Sequence, residues 1–138
     1  NVGGGINHRS NLSDAIMIKD NHLIDNINII KAIKEAKQKY SKIDIEVEVD
    51  TREQLEEALN SSATSVLLDN FKPEKLKEII VYIRSHPRGQ NKYIELSGGI
   101  TEKTLQDFCI GGINGISMGA LTHNIKSKDI SLDIQQYK

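Results

Sequence analysis

The chain of 138 residues carries 18 Lys and Arg against 19 Asp and Glu, a net charge of −1. This balance excludes the basic surface of a protein that binds nucleic acid or an anionic membrane. With 38% hydrophobic residues, two prolines and one cysteine, the composition is typical of one globular domain and excludes a disulfide scaffold or a multi-cysteine zinc site.

The sequence predicts neither a transmembrane helix nor a signal peptide. Its apolar runs are far shorter than 18 residues. Residues 1–9 lack the basic and apolar regions of a signal peptide, and the first residue is not Met. We therefore expect a cytoplasmic protein, of which this chain is one part.

Strands and helices are predicted to alternate along the chain. Five strands are predicted, at 15–19, 43–49, 65–69, 92–97 and 115–119; the segment 43–49 shows a strict alternation of β-branched and acidic side chains, and the others are short strand-like runs. Between them, helical spacing, a Thr51–Gln54 capping box, a first-turn Pro73 and the Gly111–Gly112 stop predict helices at 27–40, 51–59, 73–84 and 101–110. The weakly alternating segment 129–134 predicts a short strand or ordered coil, and Cys109, in an apolar stretch, a buried thiol.

The spacing of the strands predicts the fold class. Strand starts recur every 22 to 28 residues, the length of one βα unit. Apolar strands in such an array form a parallel α/β sheet covered by helices. A complete βα barrel needs eight strands and about 250 residues, so the chain is predicted to be the C-terminal part of a barrel, with five βα units over residues 1–138.

Every predicted strand ends in polar or glycine-rich residues. In a βα barrel the active site lies at these C-terminal strand ends. The ends here are Lys19, Glu48, Asp69, Ser97–Gly98–Gly99 and Gly119–Ala120. We therefore predict that these side chains and turns form a ring around one site.

Two carboxylates share one face of the strand at 43–49. Side chains alternate along a strand, so Glu46 and Glu48 point into the barrel while Ile45 and Val47 point outwards. Buried glutamates are rare unless they are paired, and Lys19 on the neighbouring strand is an available partner. We predict a structural ion pair for Glu46 and a site role for Glu48 and Lys19.

Two glycine-rich strand ends predict a phosphate site. Gly98 and Gly99 let the backbone approach an anion, and the helix predicted from Thr101 directs free N–H groups towards it. Gly119–Ala120 ends the next strand with equally small side chains. Asp69 can accept hydrogen bonds from sugar hydroxyls or face a divalent cation through water.

Several polar residues keep two interpretations. Arg9, which follows His8, suits a carboxylate or phosphate but equally a solvated loop. Asn70, Asp20 and Asn21 fit turns or caps. His22 and His123 fit a structural or a catalytic role.

Six segments in order resemble the quinolinate phosphoribosyltransferase family, also called carboxylating nicotinate-nucleotide pyrophosphorylases. The likeness covers about residues 3–134. The segments are GGGINHR at 3–9, DAIMIKDNH at 14–22, IEVEVDT at 45–51, VLLDNFKPE at 66–74, ELSGGIT at 95–101 and ISMGALTH at 116–123.

The resemblance implies the C-terminal barrel domain of a homo-oligomeric pentosyltransferase of NAD biosynthesis, a dimer or hexamer when full length. Such an enzyme joins quinolinate to phosphoribosyl pyrophosphate with Mg²⁺ and releases pyrophosphate and CO2 to give nicotinate mononucleotide. It implies that His8, Arg9 and Lys19 bind quinolinate, and that Glu48 and Asp69 face the ribose and metal. The residues implied around the 5′-phosphate are Ser97, Gly98, Gly99, Met118, Gly119 and Ala120.

The family also carries an upstream Thr-Arg-Lys-Thr segment and an N-terminal domain that this sequence lacks. The chain by itself is therefore expected to be inactive. Three alternatives stay open: a remnant that only binds phosphate or other anions, a barrel lyase or isomerase that uses Lys19 with Glu48, and a relative acting on another pyridine carboxylate.

Overall fold

The computed structural model describes residues 3–6, 11, 13–23 and 28–135. Five parallel strands form one sheet in the order β1-β2-β3-β4-β5. The strands are β1 (Ala15–Ile18), β2 (Asp44–Val49), β3 (Ser65–Asp69), β4 (Tyr93–Ser97) and β5 (Gly115–Ile116). The helices are α1 (Ile29–Lys39), α2 (Arg52–Asn60), α3 (Pro73–Ser85), α4 (Leu105–Phe108) and α5 (Ala120–His123), and a single 3₁₀ turn covers Asp20–His22.

The sequential strand order is that of a βα barrel. Each strand pairs in parallel with the next strand along the chain. Because βα crossovers are right-handed, a sheet that always grows in one direction places its helices on one face. This arrangement confirms the predicted α/β class and the run of five βα units.

The core lies between the sheet and its helices. Ile45, Val47 and Val66 are fully buried, and they pack in one cluster with Leu55 of α2 and Ile83 of α3. Truncation of a buried isoleucine such as Ile83 to Ala costs about 2–5 kcal/mol, because the lost contacts leave a cavity. The apolar face of each strand thus fixes which residues point the other way.

The opposite face of the sheet, called the polar face below, carries the polar strand residues Glu46, Glu48, Ser65 and Glu95, together with the apolar Met17 and Leu67. Register places Met17 beside Glu46, Glu46 beside Ser65, and Ser65 beside Tyr93. One step nearer the C-terminal ends, Glu48 lies beside Leu67 and Leu67 beside Glu95. In a βα barrel this face lines the interior, so the predicted inward direction of Glu46 and Glu48 is confirmed.

Two helix starts follow the prediction closely. The backbone N–H of Gln54 donates to Thr51 Oγ1 at 3.2 Å, and the N–H of Thr51 donates to Gln54 Oε1 at 3.3 Å. This reciprocal pair satisfies backbone donors that the first turn of α2 leaves open. Pro73 is the first residue of α3, where its missing N–H costs nothing.

Two basic side chains, the buried Lys92 and the partly exposed Arg84, bind the loops at the N-terminal edge of the sheet. Lys92, which is 7% exposed, donates through Nζ to the carbonyls of Ala63 and, at 3.4 Å, Ser61. Burial, and secondarily the positive charge of Arg88, lowers the pKa of Lys92. Arg84 donates to the carbonyls of Gln90, Lys92 and Gly112 and to Asn114 Oδ1, at 2.7–3.0 Å. Lys92 thus satisfies carbonyls of the loop that precedes β3, and Arg84 satisfies acceptors in the loops that precede β4 and β5.

The C-terminal third departs from the predicted elements. The helix predicted at 101–110 shrinks to α4, the strand predicted at 115–119 shrinks to β5, and α5 was not predicted. Residues 129–134 form no regular element, in agreement with the coil alternative, and the Cys109 thiol is exposed rather than buried. Cys109 directly follows the one-turn α4 at its C-terminal cap, so it lies outside the helical face that holds Phe108 in the core.

In the part of the chain that the structure describes, no helix is long and apolar enough to cross a membrane.

Candidate active site

An ion pair joins the C-terminal ends of β1 and β2. Lys19 Nζ lies 2.6 Å from Glu48 Oε2. The side chain of Glu48 is 19% exposed and that of Lys19 41% exposed, so both groups lie at the rim of the polar face. The structure therefore brings together Lys19 and the nearer of the two β2 glutamates.

The turn after β1 holds the backbone of Lys19. Its N–H donates to His22 Nδ1 at 3.0 Å, and its carbonyl accepts the N–H of His22 at 3.0 Å. Asp20 and Asn21 complete the turn, as predicted, through the 2.7 Å bond from the N–H of Asn21 to Asp20 Oδ1. The sequence left open whether His22 has a structural or a catalytic role, and in the structure its ring makes a structural contact with the backbone of Lys19.

Asp69 ends β3, directly opposite Ser97 at the end of β4. Asp69 lies two residues beyond Leu67, the residue that pairs with Glu48. Two residues correspond to about 6–7 Å along the strand. Asn70 Nδ2 donates to Asp69 Oδ2 at 2.5 Å. The carboxylate therefore lies at the same edge as the ion pair, with one oxygen held by its neighbour.

The turn after β4 requires its glycines. Gly98 and Gly99 have φ of 94° and 63°, in the region that only glycine enters freely. The following Ile100 is 3% exposed and anchors the turn in the core. A Cβ built on Gly99 would meet nothing within 4 Å, so the backbone is open to an anion at Gly99, whereas Gly98 lies against Asn70.

The helix expected to begin at Thr101 starts four residues later. Thr104 Oγ1 accepts the N–H of Thr101 at 3.0 Å and is 3.1 Å from its hydroxyl. Such local bonds compete with helical pairing and hold residues 101–104 in a turn. The prediction that a helix dipole acts directly on the glycine turn is therefore wrong.

The strand predicted at 115–119 also ends earlier than expected, at Ile116. The N–H of Ser117 still donates to the carbonyl of Leu96 at 2.8 Å, but the chain then turns into α5. Met118 packs against the core, and Ala120 is the first residue of α5. The exposed His123 lies within that helix.

A cleft of about 620 Å³ lies on the polar face towards the N-terminal ends of the strands. Its walls include Glu46, Glu95, Tyr93 and Ser117, but none of the predicted ring residues. Ser117 Oγ donates to Glu95 Oε1. Burial, with the negative charges of Glu95 and Glu46, raises the pKa of Tyr93. Glu46 therefore belongs to the interior rather than to the strand-end edge.

A metal ion finds only a weak set of ligands here. Among the described residues no three His, Cys, Asp or Glu side chains are arranged to hold one. Glu48 already pairs with Lys19, and Asp69 accepts from Asn70. Two carboxylates of this kind fit Mg²⁺ only where substrate oxygens and water supply the remaining ligands.

Among the residues predicted to bind substrate, His8 and Arg9 lie outside the described residues. Asn70 was predicted only as a turn or cap residue, and its contact with Asp69 was missed. The signal for its backbone was present in the sequence, since asparagine tolerates the left-handed conformation better than other non-glycine residues.

Comparison with known proteins identifies the family and several relatives. The family described as "Quinolinate phosphoribosyl transferase, C-terminal domain" matches residues 1–133. A probable carboxylating nicotinate-nucleotide pyrophosphorylase of Methanocaldococcus jannaschii is 44% identical over 140 residues, covering 99% of this chain and 49% of that protein. The human protein named nicotinate-nucleotide pyrophosphorylase [carboxylating] is 37% identical over 96% of this chain and 44% of its own length.

Solved structures of related proteins share this fold. The nicotinate-nucleotide pyrophosphorylase of Francisella tularensis matches with a TM-score of 0.80 and 36% identity, over 90% of this chain and 42% of that one. That of Ehrlichia chaffeensis matches with a TM-score of 0.83 and 30% identity, over 97% of this chain and 47% of that one. The chain spans about half the length of the curated relatives that it matches.

Proposed function

The chain belongs to the quinolinate phosphoribosyl transferase C-terminal domain family, and on this premise we propose that the intact protein transfers a phosphoribosyl group to quinolinate. The products are nicotinate mononucleotide, pyrophosphate and CO2. The observation that carries the proposal is the Lys19–Glu48 ion pair, which lies at the same edge of the sheet as the left-handed glycine turn. A cation, carboxylates and an open backbone are what an anionic pyridine and a phosphorylated sugar need.

The roles divide along the strand ends. Lys19, with His8 and Arg9, binds the carboxylates of quinolinate. Glu48 and Asp69 face the ribose. The 5′-phosphate lies against the backbone of the two turns after β4 and β5, formed by Ser97, Gly98, Gly99, Met118, Gly119 and Ala120.

The reaction breaks the bond between the anomeric carbon and pyrophosphate and forms a bond from that carbon to the pyridine nitrogen. Positive charge grows on the sugar ring as pyrophosphate leaves, as it does in glycoside cleavage. A preorganised carboxylate such as Glu48 stabilises that charge in the transition state. Glu48 and Asp69 are the carboxylates that would hold Mg²⁺, through water and substrate oxygens, and a bound Mg²⁺ would supply positive charge against the pyrophosphate group.

Decarboxylation follows from the new bond. The pyridine nitrogen becomes positively charged, and it stabilises the electron pair left when the adjacent carboxylate departs as CO2. A proton then takes the place of that carboxylate. The ammonium of Lys19 holds a carboxylate of the substrate by a charge-assisted hydrogen bond while the ring is positioned.

We also propose that the intact protein forms a homo-oligomer and acts in the cytoplasm. The assay combines the intact protein, quinolinate, phosphoribosyl pyrophosphate and Mg²⁺, and measures nicotinate mononucleotide by mass spectrometry. Equal amounts of nucleotide, pyrophosphate and CO2 are expected, and nicotinate in place of quinolinate is the control. Binding of inorganic phosphate without any product would instead favour a chain that only binds anions.

A further inference from the structure

Asn70 has a backbone conformation that few residues adopt. Its φ is 56°, and it is the one residue other than glycine with a positive φ in the described part of the chain. Its N–H donates to the carbonyl of Ser97 at 3.1 Å, across the ends of β3 and β4. The backbone of Asn70 is thus tied to the strand that leads into the glycine turn.

The side chain of Asn70 contacts both Asp69 at the end of β3 and Gly98 in the turn after β4. Nδ2 donates to Asp69 Oδ2 at 2.5 Å. A Cβ placed on Gly98 would lie 2.3 Å from Asn70 Oδ1 and 2.6 Å from its backbone nitrogen. Real atoms do not approach so closely, so Gly98 packs directly onto the Asn70 amide.

We propose that Asn70 is a positioning residue that couples the Asp69 carboxylate to the glycine turn of residues 97–99. Its Nδ2 fixes one oxygen of Asp69 and leaves the other to accept from the ribose. Its Oδ1 side supports Gly98 in the left-handed conformation. The inference rests on the proposed function, in which Asp69 faces the ribose and the turn faces the 5′-phosphate of the same substrate.

A simpler role for Asn70 makes a different prediction. If it served only as a left-handed turn residue, glycine would replace it without loss, because glycine adopts a positive φ freely. If the amide acts on both neighbours, Asn70→Gly keeps the backbone and loses the coupling. Asn70→Asp keeps the shape and the backbone preference but puts a carboxylate where Asp69 needs a donor.

The first test is steady-state kinetics of the intact protein. We expect Asn70→Gly and Asn70→Asp to lower kcat and to raise the KM for phosphoribosyl pyrophosphate. The combined loss in kcat/KM should be about tenfold to a hundredfold, the effect of one charge-assisted hydrogen bond. The KM for quinolinate should change less than about twofold. Asn70→Gly should slow Asp69→Asn by a smaller factor than it slows the wild type, because the part of its effect that passes through Asp69 is already lost in that variant.

The matched control is Asn60→Asp on α2. Asn60 Nδ2 donates to Glu56 Oε1 at 3.0 Å, so the same exchange also places two carboxylates side by side, away from the strand ends. Wild-type kinetics are expected for this variant. A loss as large as that of Asn70→Asp would overturn the proposal, since the effect would then come from charge alone.

Hydrogen exchange gives a readout that does not depend on turnover. Without the Asn70 side chain, the amides of residues 97–101 should exchange faster in Asn70→Gly, while those of residues 52–60 should be unchanged. If Asn70→Gly matches the wild type in both exchange and kinetics, Asn70 is only a turn residue and the proposal is wrong. If the wild type makes no product, the proposed function fails, and the exchange of residues 97–101 still decides the coupling.

Discussion

Lys19 Nζ lies 2.6 Å from Glu48 Oε2, so the ends of two adjacent parallel strands are joined by an ion pair. The Lys19 side chain is 41% exposed, and pairs exposed to this degree contribute only about 0–1 kcal/mol to stability. The scaffold is held far more strongly by the buried face of β2. The pair is therefore better suited to a substrate-binding role than to holding the fold.

Removal of Lys19 should separate the two substrates. In the intact protein, Lys19→Ala and Arg9→Ala should weaken quinolinate about tenfold to a hundredfold, because each removes a charge-assisted contact. Phosphoribosyl pyrophosphate should be affected less. Lys31→Ala, on the exposed side of α1, is the control. Equal losses for both substrates, measured from their KM values, would argue that these residues hold the fold.

Substitution by alanine should be much more damaging at Gly98 than at Gly99, in the turn after β4. Gly98→Ala meets both an unfavourable φ and the Asn70 side chain, whereas Gly99→Ala has a φ of 63° and no other atom within 4 Å. Gly99→Ala should cost about 1–2 kcal/mol from conformation alone. Gly98→Ala should cost clearly more and should raise the KM for phosphoribosyl pyrophosphate. Similar melting temperatures and KM values for both variants would contradict the close packing at Gly98.

The buried Lys92 should make stability depend on alkaline pH. Its pKa is lowered from 10.5 by burial, so just below pH 10.5 the unfolded chain binds more protons than the folded chain. Stability therefore rises with pH in that window. The raised pKa values of Tyr82 and Tyr93 act oppositely above about pH 10, but this contribution is common to the wild type and a Lys92 variant.

Lys92→Met isolates the lysine contribution. It leaves the Ser61 and Ala63 carbonyls without this donor, which should destabilise the protein by about 1–3 kcal/mol at pH 7. The difference from the wild type should widen as the pH rises towards 10. Urea unfolding at several pH values measures it, and a constant or shrinking difference would show that burial does not shift the Lys92 equilibrium.

Sequence patterns predicted the sheet because each pattern has a direct physical cause. Alternation placed Glu46 and Glu48 on one face, and regular spacing of the strands gave sequential parallel pairing. The starts of α2 at the Thr51 cap and of α3 at Pro73 depend only on contacts within the first helical turn, so short sequence motifs predict them. The strand alternation and the two helix starts are found in the structure as predicted because the tertiary contacts favour the same local conformations.

The differences arose where local patterns compete with tertiary contacts. Apolar spacing predicted a helix from Thr101, but hydroxyl contacts with Thr104 hold a turn there. The contact of Asn70 with Gly98 joins residues 28 positions apart, and no short-range pattern reveals it. The roles assigned to the substrate-binding residues remain predictions, including those of His8 and Arg9.

The position of the chemistry along β2 is tested by substitution of its two inward glutamates. Glu48 lies at the strand end with Lys19, whereas Glu46 is 6% exposed and lines the interior cleft. Loss of a carboxylate that stabilises the transition state should appear mainly in kcat. Asp69→Asn should behave like Glu48→Gln for the same reason.

The most direct measurement is kcat of Glu48→Gln and Glu46→Gln in the intact protein, with a thermal melt of each. Glu48→Gln should lower kcat about tenfold to a thousandfold, the range for one lost electrostatic contact, with little change in Tm. Glu46→Gln should lower Tm and leave kcat nearly unchanged. If Glu46→Gln is instead the slow enzyme and Glu48→Gln only melts earlier, the site does not lie at the strand-end edge formed by Lys19 and Glu48.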